Sequence, residues 1–492
     1  MPVKTAIVTG AGIGGLASGI RLAKKGYRTT IVEQAANTGG KISEFRESGF
    51  RFDRGPSLLT LPGLIDELFL LCREDPSEFF NYSKLDKSCK YFWDDGCVIN
   101  AWADRDKFME EVRSQTGEQP DRLKKFFQKS KQLYDLTARS FLFSSLHKAE
   151  NFKSREFLNT LLNSWKLDPF ISMHKRNSRW FRNKRIIQLF DRFATYNGSN
   201  PYKTPATLNI IAHLEHTLGS FFPAKGMYDI AASLTSLAER QGVKFMMNTK
   251  VREIVIEDGV ARGINTDDSF MPADIIVSNL DVNLLYRDLM PSGDIPASLT
   301  KDQRSTSALI FFWGINTTTQ LDLHNVLFSE NYKDEFTDLF DHRIIPSDPT
   351  VYIYISSKVV KSDAPTGSEN WYVMINAPEN SDRITGESIA KARESIIARI
   401  DRVLGIEIEK SILFERTLDP ATIEKETGSY KGSLYGLSSN NMFSAFNRHP
   451  NFSRKYRNLY FTGGSVHPGG GIPLSLASVK IIDKEIRPLQ SI

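Results

Sequence analysis

The sequence predicts an α/β chain in which both ends build one parallel-sheet domain and the long middle is inserted into it. Three observations carry that reading. Near the start, Thr5-Ala6-Ile7-Val8-Thr9 runs into Gly10-Ala11-Gly12-Ile13-Gly14-Gly15, with glycines spaced G-x-G-x-x-G. Near the end, Leu459-Tyr460-Phe461 runs into a second glycine-rich turn, Gly463 to Pro473, and then a helix to about Ile486. Between them lie a mostly helical stretch, about Arg105 to His216, and short strands rich in Phe, Tyr, Val and Ile, about Leu309 to Met374.

A strand, a glycine turn and a helix in this order form a Rossmann-like dinucleotide site. Gly10 permits the tight turn, Gly12 lets the backbone approach a pyrophosphate, and Gly15 lets the helix pack closely on the strand. The phosphates then sit at the helix N-terminus, where free N–H groups and the dipole favour negative charge. The helix reads from Leu16 to Lys25, with apolar Leu16, Ile20 and Leu22, and stops at Gly26. The next strand, Thr29 to Val32, ends at Glu33, 18 positions after Gly15. That is close to the separation at which an acidic residue reaches the ribose hydroxyls, and its carboxylate would repel a 2′-phosphate.

Two further glycine turns follow, Asn37-Thr38-Gly39-Gly40-Lys41 and Gly49 to Ser57. Turns so soon after the second strand are unusual for a nicotinamide dehydrogenase and suit a larger cofactor that needs backbone contact at several points. Lys41 reads either as a cation beside the pyrophosphate or as a surface lysine. Residues 90–102 form a hairpin turning at Asp95-Gly96. A helix opens at Gly226-Met227-Tyr228 and ends at Gln241-Gly242; strands are expected at Val243 to Phe245, Val251 to Ile256 and Val260 to Ile264. Ala273 to Asn279 is a buried strand ending in polar residues, a return to the nucleotide domain. The mixed or antiparallel sheet of the later strands reads as the floor of a substrate site, and Asp382 to Leu404 as a helix. These elements divide the chain into nucleotide-domain parts at 1–70, 217–290 and 421–492, substrate-domain parts at 71–104 and 291–420, and a helical subdomain at 105–216.

At 492 residues and a net charge of +5, the chain can bury a large core and carries too slight a basic excess to argue for nucleic acid. The charge is unevenly placed. Between Lys148 and Arg192 there are 11 Lys and Arg against 4 Asp and Glu. Within this segment Trp180, Ile186, Ile187, Leu189, Phe190 and Phe193 stand among Arg179, Arg182, Lys184, Arg185 and Arg192. Two readings fit: a helix packed on the substrate domain, or a face that dips into an anionic membrane surface to collect an apolar substrate. Cys72, Cys89 and Cys97 show neither metal-ligand spacing nor a disulfide framework, so no metal site is expected and the compartment reads as reducing. No apolar run reaches the ~20 residues that span a bilayer, and no charged segment with an apolar core precedes the first strand, so a cleaved signal peptide is not expected. A cytoplasmic protein, free or on a membrane surface, is the expectation.

Taken together, Gly10 to Gly15, Glu33, Gly39-Gly40-Lys41, Gly49 to Ser57 and Gly463-Gly464-Ser465-Val466-His467-Pro468-Gly469-Gly470-Gly471-Ile472-Pro473 resemble the bacterial carotenoid desaturases of the phytoene desaturase type, flavin enzymes distantly related to amine oxidases. The resemblance covers nearly the whole chain. The Gly-Gly-Ser-Val-His-Pro form of the last turn looks more like the branch acting on hydroxylated or methoxylated carotenoids, the 1-hydroxycarotenoid 3,4-desaturases of the flavobacterial type. It implies FAD as cofactor, with Glu33 and its neighbour Gln34 at the adenosine ribose. Lys41 and the Gly12-Ile13-Gly14-Gly15 turn would hold the pyrophosphate, and Val251 would meet the adenine with its backbone. Gly55-Pro56-Ser57, Gly463-Gly464 and Gly471-Ile472-Pro473 would flank the flavin. Lys41 stands where many relatives have Arg, giving a point charge without the bidentate fork.

The activity this implies is desaturation of an acyclic or monocyclic 1-hydroxycarotenoid at carbons 3 and 4, by hydride transfer to flavin and loss of a proton. It further implies a hydrophobic carotenoid substrate, oxygen or a quinone as electron acceptor, and peripheral association with the inner membrane. No Ser/His/Asp, Cys/His or metal constellation competes with the flavin for the chemistry. His467 is a candidate for proton transfer or for a structural turn, and Glu156 is the nearest match to a carboxylate of phytoene desaturases or an ordinary solvent-facing glutamate. The alternatives kept open are another carotene desaturase, a different flavin oxidoreductase of the amine oxidase type, and a lipid carrier of the Rab dissociation inhibitor type.

Overall fold

Three distant parts of the chain meet in one parallel sheet. In the computed structural model, which describes residues 3–489 apart from 292–294, 297–298 and 300–302, the sheet has five strands. Their order is Leu459–Phe461, Ile275–Ser278, Thr5–Thr9, Arg28–Val32 and Lys244–Met246, and every pairing is parallel. The first strand sits at its centre and carries Ala6, Ile7 and Val8 fully buried, as expected of a strand covered on both faces. The helix Ile13–Lys24 packs between the helices Asp229–Arg240 and Ile472–Glu485. It begins at Ile13 rather than Leu16 because Gly14 and Gly15 are wound into its first turn. A Cβ at Gly15 would stand 1.9 Å from the carbonyl oxygen of Gly10, so only glycine lets the helix approach the turn this closely.

Against this sheet lies a three-stranded antiparallel one, Val251–Glu257, Val260–Thr266 and Phe270–Pro272. Its first turn places Asp258 and Gly259 at φ +49° and +71°, the left-handed pair of a tight hairpin.

The inserted part is organised by a seven-stranded sheet ordered Ile412–Leu418, Ser307–Ile315, Glu369–Ala377, Val351–Tyr354, His324–Leu327, Lys87–Phe92, Val98–Trp102. It is antiparallel except where His324–Leu327 meets Lys87–Phe92, so the expected mixed sheet is present and the expected hairpin forms its edge. Alternation along Ser307–Ile315 divides the two faces. Leu309, Phe311 and Trp313 pack with Ile396 and Ile400 of the helix Gly386–Leu404, whereas Ile310 and Phe312 join the core of the nucleotide domain. Helices from Arg105 to Asp191 and short helical turns to Leu218 cover one end.

The basic segment folds differently from the membrane reading. Ser178 to Phe193 is divided between the helices Met173–Trp180 and Lys184–Asp191, and Phe181, Ile186, Leu189, Phe190 and Phe193 are buried in a core with Phe126 and Phe127. Those apolar side chains point inward and offer no face to a bilayer. The exposed apolar residues of the segment lie earlier, at Phe152 (37% exposed), Leu158 (47%), Leu161 (59%), Leu162 (78%), Trp165 (74%) and Phe170 (84%). No helix among the described residues is long and apolar enough to cross a membrane.

Candidate functional site

One large cavity, about 1260 Å³, is lined by the two glycine-rich turns, the cavity-facing side of the seven-stranded sheet and the helical subdomain. Ligand pockets commonly measure ~300–1,000 Å³, so this one has room for more than a single compact ligand. Both helices that begin at the glycine turns point their N-termini at it. Neither Gly12, before Ile13–Lys24, nor Gly471, before Ile472–Glu485, supplies a side-chain cap, so their first N–H groups are left for a ligand. The turns touch each other through Asn279, at the end of the strand Ile275–Ser278. A Cβ at Gly12, Gly14 or Gly463 would come within 2.7, 2.5 and 2.6 Å of its side chain. The residues present therefore form a bare-backbone cradle that fits a dinucleotide pyrophosphate, and a Cβ at any of those positions would collide with Asn279 and force the two turns apart.

Almost all residues singled out in the sequence line this cavity: Gly10, Gly12, Ile13, Gly14, Glu33, Gln34, Gly40, Lys41, Gly55, Pro56, Ser57, Val251, Gly463, Gly464, His467, Gly471, Ile472 and Pro473. Gly15 is packed behind the turn against Gly10. Glu156 is exposed in the first turn of the helix Arg155–Leu162 and does not line the cavity. A carboxylate there favours the helix N-terminus and stands outside the cavity, so Glu156 is the ordinary solvent-facing glutamate and not a catalytic residue.

Glu33 is held by the turn it serves. One carboxylate oxygen accepts the Ala11 N–H at 2.7 Å and the other accepts the Ala35 N–H at 2.8 Å. The Thr249 N–H donates to the Glu33 carbonyl, which draws the segment leading into Val251 to the same corner. The Lys41 ammonium donates to the Leu434 carbonyl at 2.8 Å and reaches the Ser433 carbonyl at 3.5 Å. Desolvation pushes its pKa down to about 8, against the opposing attraction of Asp281. His467 is buried, and its Nε2 lies 2.9 Å from the Ser144 carbonyl oxygen. Burial lowers its pKa to about 4, so the ring is neutral at pH 7, with Nε2 donating to Ser144.

Three groups of cavity-lining residues carry no sequence motif. Asn279 was legible only as the polar end of a strand. Tyr352 and His324 face inward from adjacent strands, with Tyr352 Oη 2.8 Å from His324 Nδ1 and 2.6 Å from Ser57 Oγ. Arg192 donates to Tyr91 Oη at 2.7 Å and lies 3.9 Å from Glu215, which also accepts from Ser88 at 3.0 Å and from Tyr196. Cys89, beside this group, has its thiol pKa pushed up to about 12 by burial and is no nucleophile at neutral pH. Toward the helical subdomain the lining turns apolar, with Phe141, Leu142, Leu167, Pro169, Ile211 and Leu214.

The sequence match extends over the same regions. Residues 13–478 match the family of flavin-containing amine oxidoreductases. The chain belongs to that family. Among relatives of this flavin oxidoreductase, the 1-hydroxycarotenoid 3,4-desaturase of Flavobacterium sp. (strain P99-3) is 45% identical over 97% of this chain and 98% of that protein. The phytoene desaturase of Fusarium fujikuroi is 29% identical over 98% of this chain and 89% of that protein. The fold is shared with the crystal structure of an oxidoreductase from Methanosarcina mazei, which has a TM-score of 0.62 and 16% identity and covers 98% of this chain and 100% of that one. A flavin oxidoreductase with this cradle fits FAD as its cofactor.

Proposed function

We propose that this flavin oxidoreductase is an FAD-dependent carotenoid desaturase that introduces a carbon 3,4 double bond into an acyclic or monocyclic 1-hydroxycarotenoid. The observation that carries the reading is the continuity of one cavity. It runs from two uncapped helix N-termini at the glycine turns to an apolar end formed by Leu167 and Pro169, which lie in the chain between the exposed Trp165 and Phe170. A long polyene needs such length and apolar lining; a compact polar amine does not. The 45% identical relative supports the choice of substrate class.

Glu33 and Gln34 would hold the adenosine ribose, and the Val251 backbone the adenine. The Gly12 to Gly15 turn and Lys41 would hold the pyrophosphate, and Gly55 to Ser57, Gly463-Gly464 and Gly471 to Pro473 would hold the flavin ring. FAD, when bound, supplies the hydride acceptor that no protein side chain provides. The chain itself positions the substrate and excludes water. Ile310, Tyr372 and Met374 form an apolar floor, and the helical subdomain covers the far end. His467, already paired with Ser144, braces the glycine loop against the helical subdomain. In this reading residues 1–70, 217–290 and 421–492 would bind the cofactor, 71–104 and 291–420 would form the substrate domain, and 105–216 the helical subdomain facing substrate and membrane.

We further propose a peripheral position on the cytoplasmic side of the inner membrane, a reading supported by the exposed apolar residues near that cavity end. Leu158, Leu161, Leu162, Trp165 and Phe170 enter the headgroup layer, Lys153, Arg155 and Lys166 meet anionic lipid, and electrons leave to oxygen or a quinone. The test is to incubate the FAD-loaded protein in liposomes with hydroxylated and non-hydroxylated γ-carotene and lycopene derivatives and to identify products. The expected product is two hydrogens lighter with a longer absorbing polyene; no carotenoid converted under aerobic or quinone-supplemented conditions overturns the reading.

A further inference from the structure

A substrate with a hydroxyl on carbon 1 and reacting carbons 3 and 4 has only one carbon between the carbinol carbon and the reaction. The polar partner of that hydroxyl must therefore stand at the flavin end of the cavity, because the distant apolar end cannot reach it. Ser57 marks that end, since Gly55 to Ser57 are proposed above to hold the flavin ring. It follows Gly55, where a Cβ would lie 2.0 Å from the Lys41 carbonyl oxygen, and Gly40, just before Lys41, backs onto Gly12 of the dinucleotide turn.

From Ser57 a hydrogen-bonded chain enters the sheet. Ser57 Oγ lies 2.6 Å from Tyr352 Oη, and Tyr352 Oη lies 2.8 Å from His324 Nδ1. His324 is 2% exposed, lines the cavity and stacks beside Tyr352 and Tyr354, while its Nε2 has no partner among the described residues. Burial, reinforced by the nearby Arg192 cation, drives its pKa down to about 3, so the ring is neutral. In the neutral ring one nitrogen donates and the other accepts. With Nδ1 paired to Tyr352, Nε2 is left as a donor or an acceptor according to tautomer, and a hydroxyl satisfies it in either case.

The other cavity-lining atoms without a partner suit a hydroxyl less well. Arg192 Nε belongs to a guanidinium already committed to Tyr91, Tyr196 and Glu215. Thr9, Arg54 and His467 stand on the glycine-turn segments assigned to the cofactor. We propose that His324, held in place by Tyr352 and Ser57, receives the substrate's carbon 1 hydroxyl and makes the protein select hydroxylated over non-hydroxylated carotenoids. This rests on the carotenoid desaturase reading.

The test compares kcat/KM for a 1-hydroxylated γ-carotene-type substrate and its non-hydroxylated counterpart, in liposomes, with FAD-loaded protein and with bound flavin measured for every variant. The native protein is expected to prefer the hydroxylated substrate by about 10- to 100-fold, the scale set by leaving one buried polar group unpaired. His324→Leu is expected to bring the ratio to near one. His324→Gln, which keeps a donor and an acceptor, should retain most of the preference. Tyr352→Phe, which keeps the packing and removes one hydroxyl, should lower it mainly through KM for the hydroxylated substrate. Native protein that converts both substrates equally overturns the inference while leaving the desaturase reading intact; native protein that converts neither overturns the desaturase reading itself. If His324→Leu fails to hold flavin, an unchanged ratio in Tyr352→Phe overturns the assignment. A proportional loss on both substrates in any flavin-loaded variant does the same.

Discussion

If Lys41 stands beside the pyrophosphate as proposed, it should link cofactor binding to pH, and the size of the effect follows from its surroundings. Its ammonium is desolvated among the Ser433 and Leu434 carbonyls, with Asp281 nearby, and its pKa falls from 10.5 to about 8. At 1.36 kcal/mol per pKa unit, this is a penalty of ~3 kcal/mol on the charged form. A pyrophosphate beside Lys41 removes that penalty, since an adjacent anion favours the ammonium. Below pH 8 the free and bound proteins both carry the proton, and affinity for FAD is flat. Above pH 8 the free protein loses the proton and the bound one keeps it, so affinity falls by about tenfold per pH unit. In the apoprotein the sign is opposite: between pH 8 and 10.5 the unfolded chain holds a proton that the folded chain has lost, and stability rises with pH. Titrating apoprotein with FAD by flavin fluorescence from pH 7 to 9.5 measures the first effect. Lys41→Met is expected to bind ~10- to 100-fold more weakly at pH 7, as one charge-assisted hydrogen bond is lost, and to show no slope above pH 8. The same slope in native protein and Lys41→Met, or a flat native profile, refutes the placement of Lys41 beside the pyrophosphate and leaves it as an anchor for residues 433–434.

Replacing Leu161, Leu162, Trp165 and Phe170 with Ser should release the protein from anionic liposomes in flotation assays by at least about tenfold without changing its melting temperature, because each exposed apolar side chain contributes ~1.5–3 kcal/mol when it enters lipid. Arg179→Gln, Arg182→Gln, Lys184→Gln and Arg185→Gln together should weaken binding far less, since the apolar residues between them are buried in the protein; the reverse ranking would return the membrane face to that helix. Gly15→Ala should abolish flavin binding and lower thermal stability, because its Cβ would stand 1.9 Å from a backbone oxygen. Retention of flavin with an unshifted melting curve would contradict the close packing of turn and helix. His467→Ala should keep its flavin and lose less than about tenfold in turnover per flavin, whereas a fall of ~100-fold or more is the signature of a proton-transfer residue.

The architecture of the cofactor domain was legible because its signals are local. The spacing of Gly10, Gly12 and Gly15, the acidic end of the second strand at Glu33, and the second glycine turn before Ile472 each state a backbone requirement that few other folds impose. Sequence alone thus determined a dinucleotide site built from both chain ends, and the strands rich in Phe, Tyr, Val and Ile between Leu309 and Met374 announced a second, mixed or antiparallel sheet. Other features depend on pairings hundreds of residues apart. Asn279 touches both glycine turns only because its strand lies between Thr5–Thr9 and Leu459–Phe461. His324 meets Tyr352 only through the register of two antiparallel strands, and Ser57 reaches them from across the cavity. The basic helical segment marks the limit most clearly. Its periodicity could not say whether Ile186, Leu189 and Phe190 face lipid or protein, since burial against Phe126 and burial in a bilayer ask for the same residues. Tertiary packing settled that question by enclosing them and leaving Trp165 and Phe170 outside.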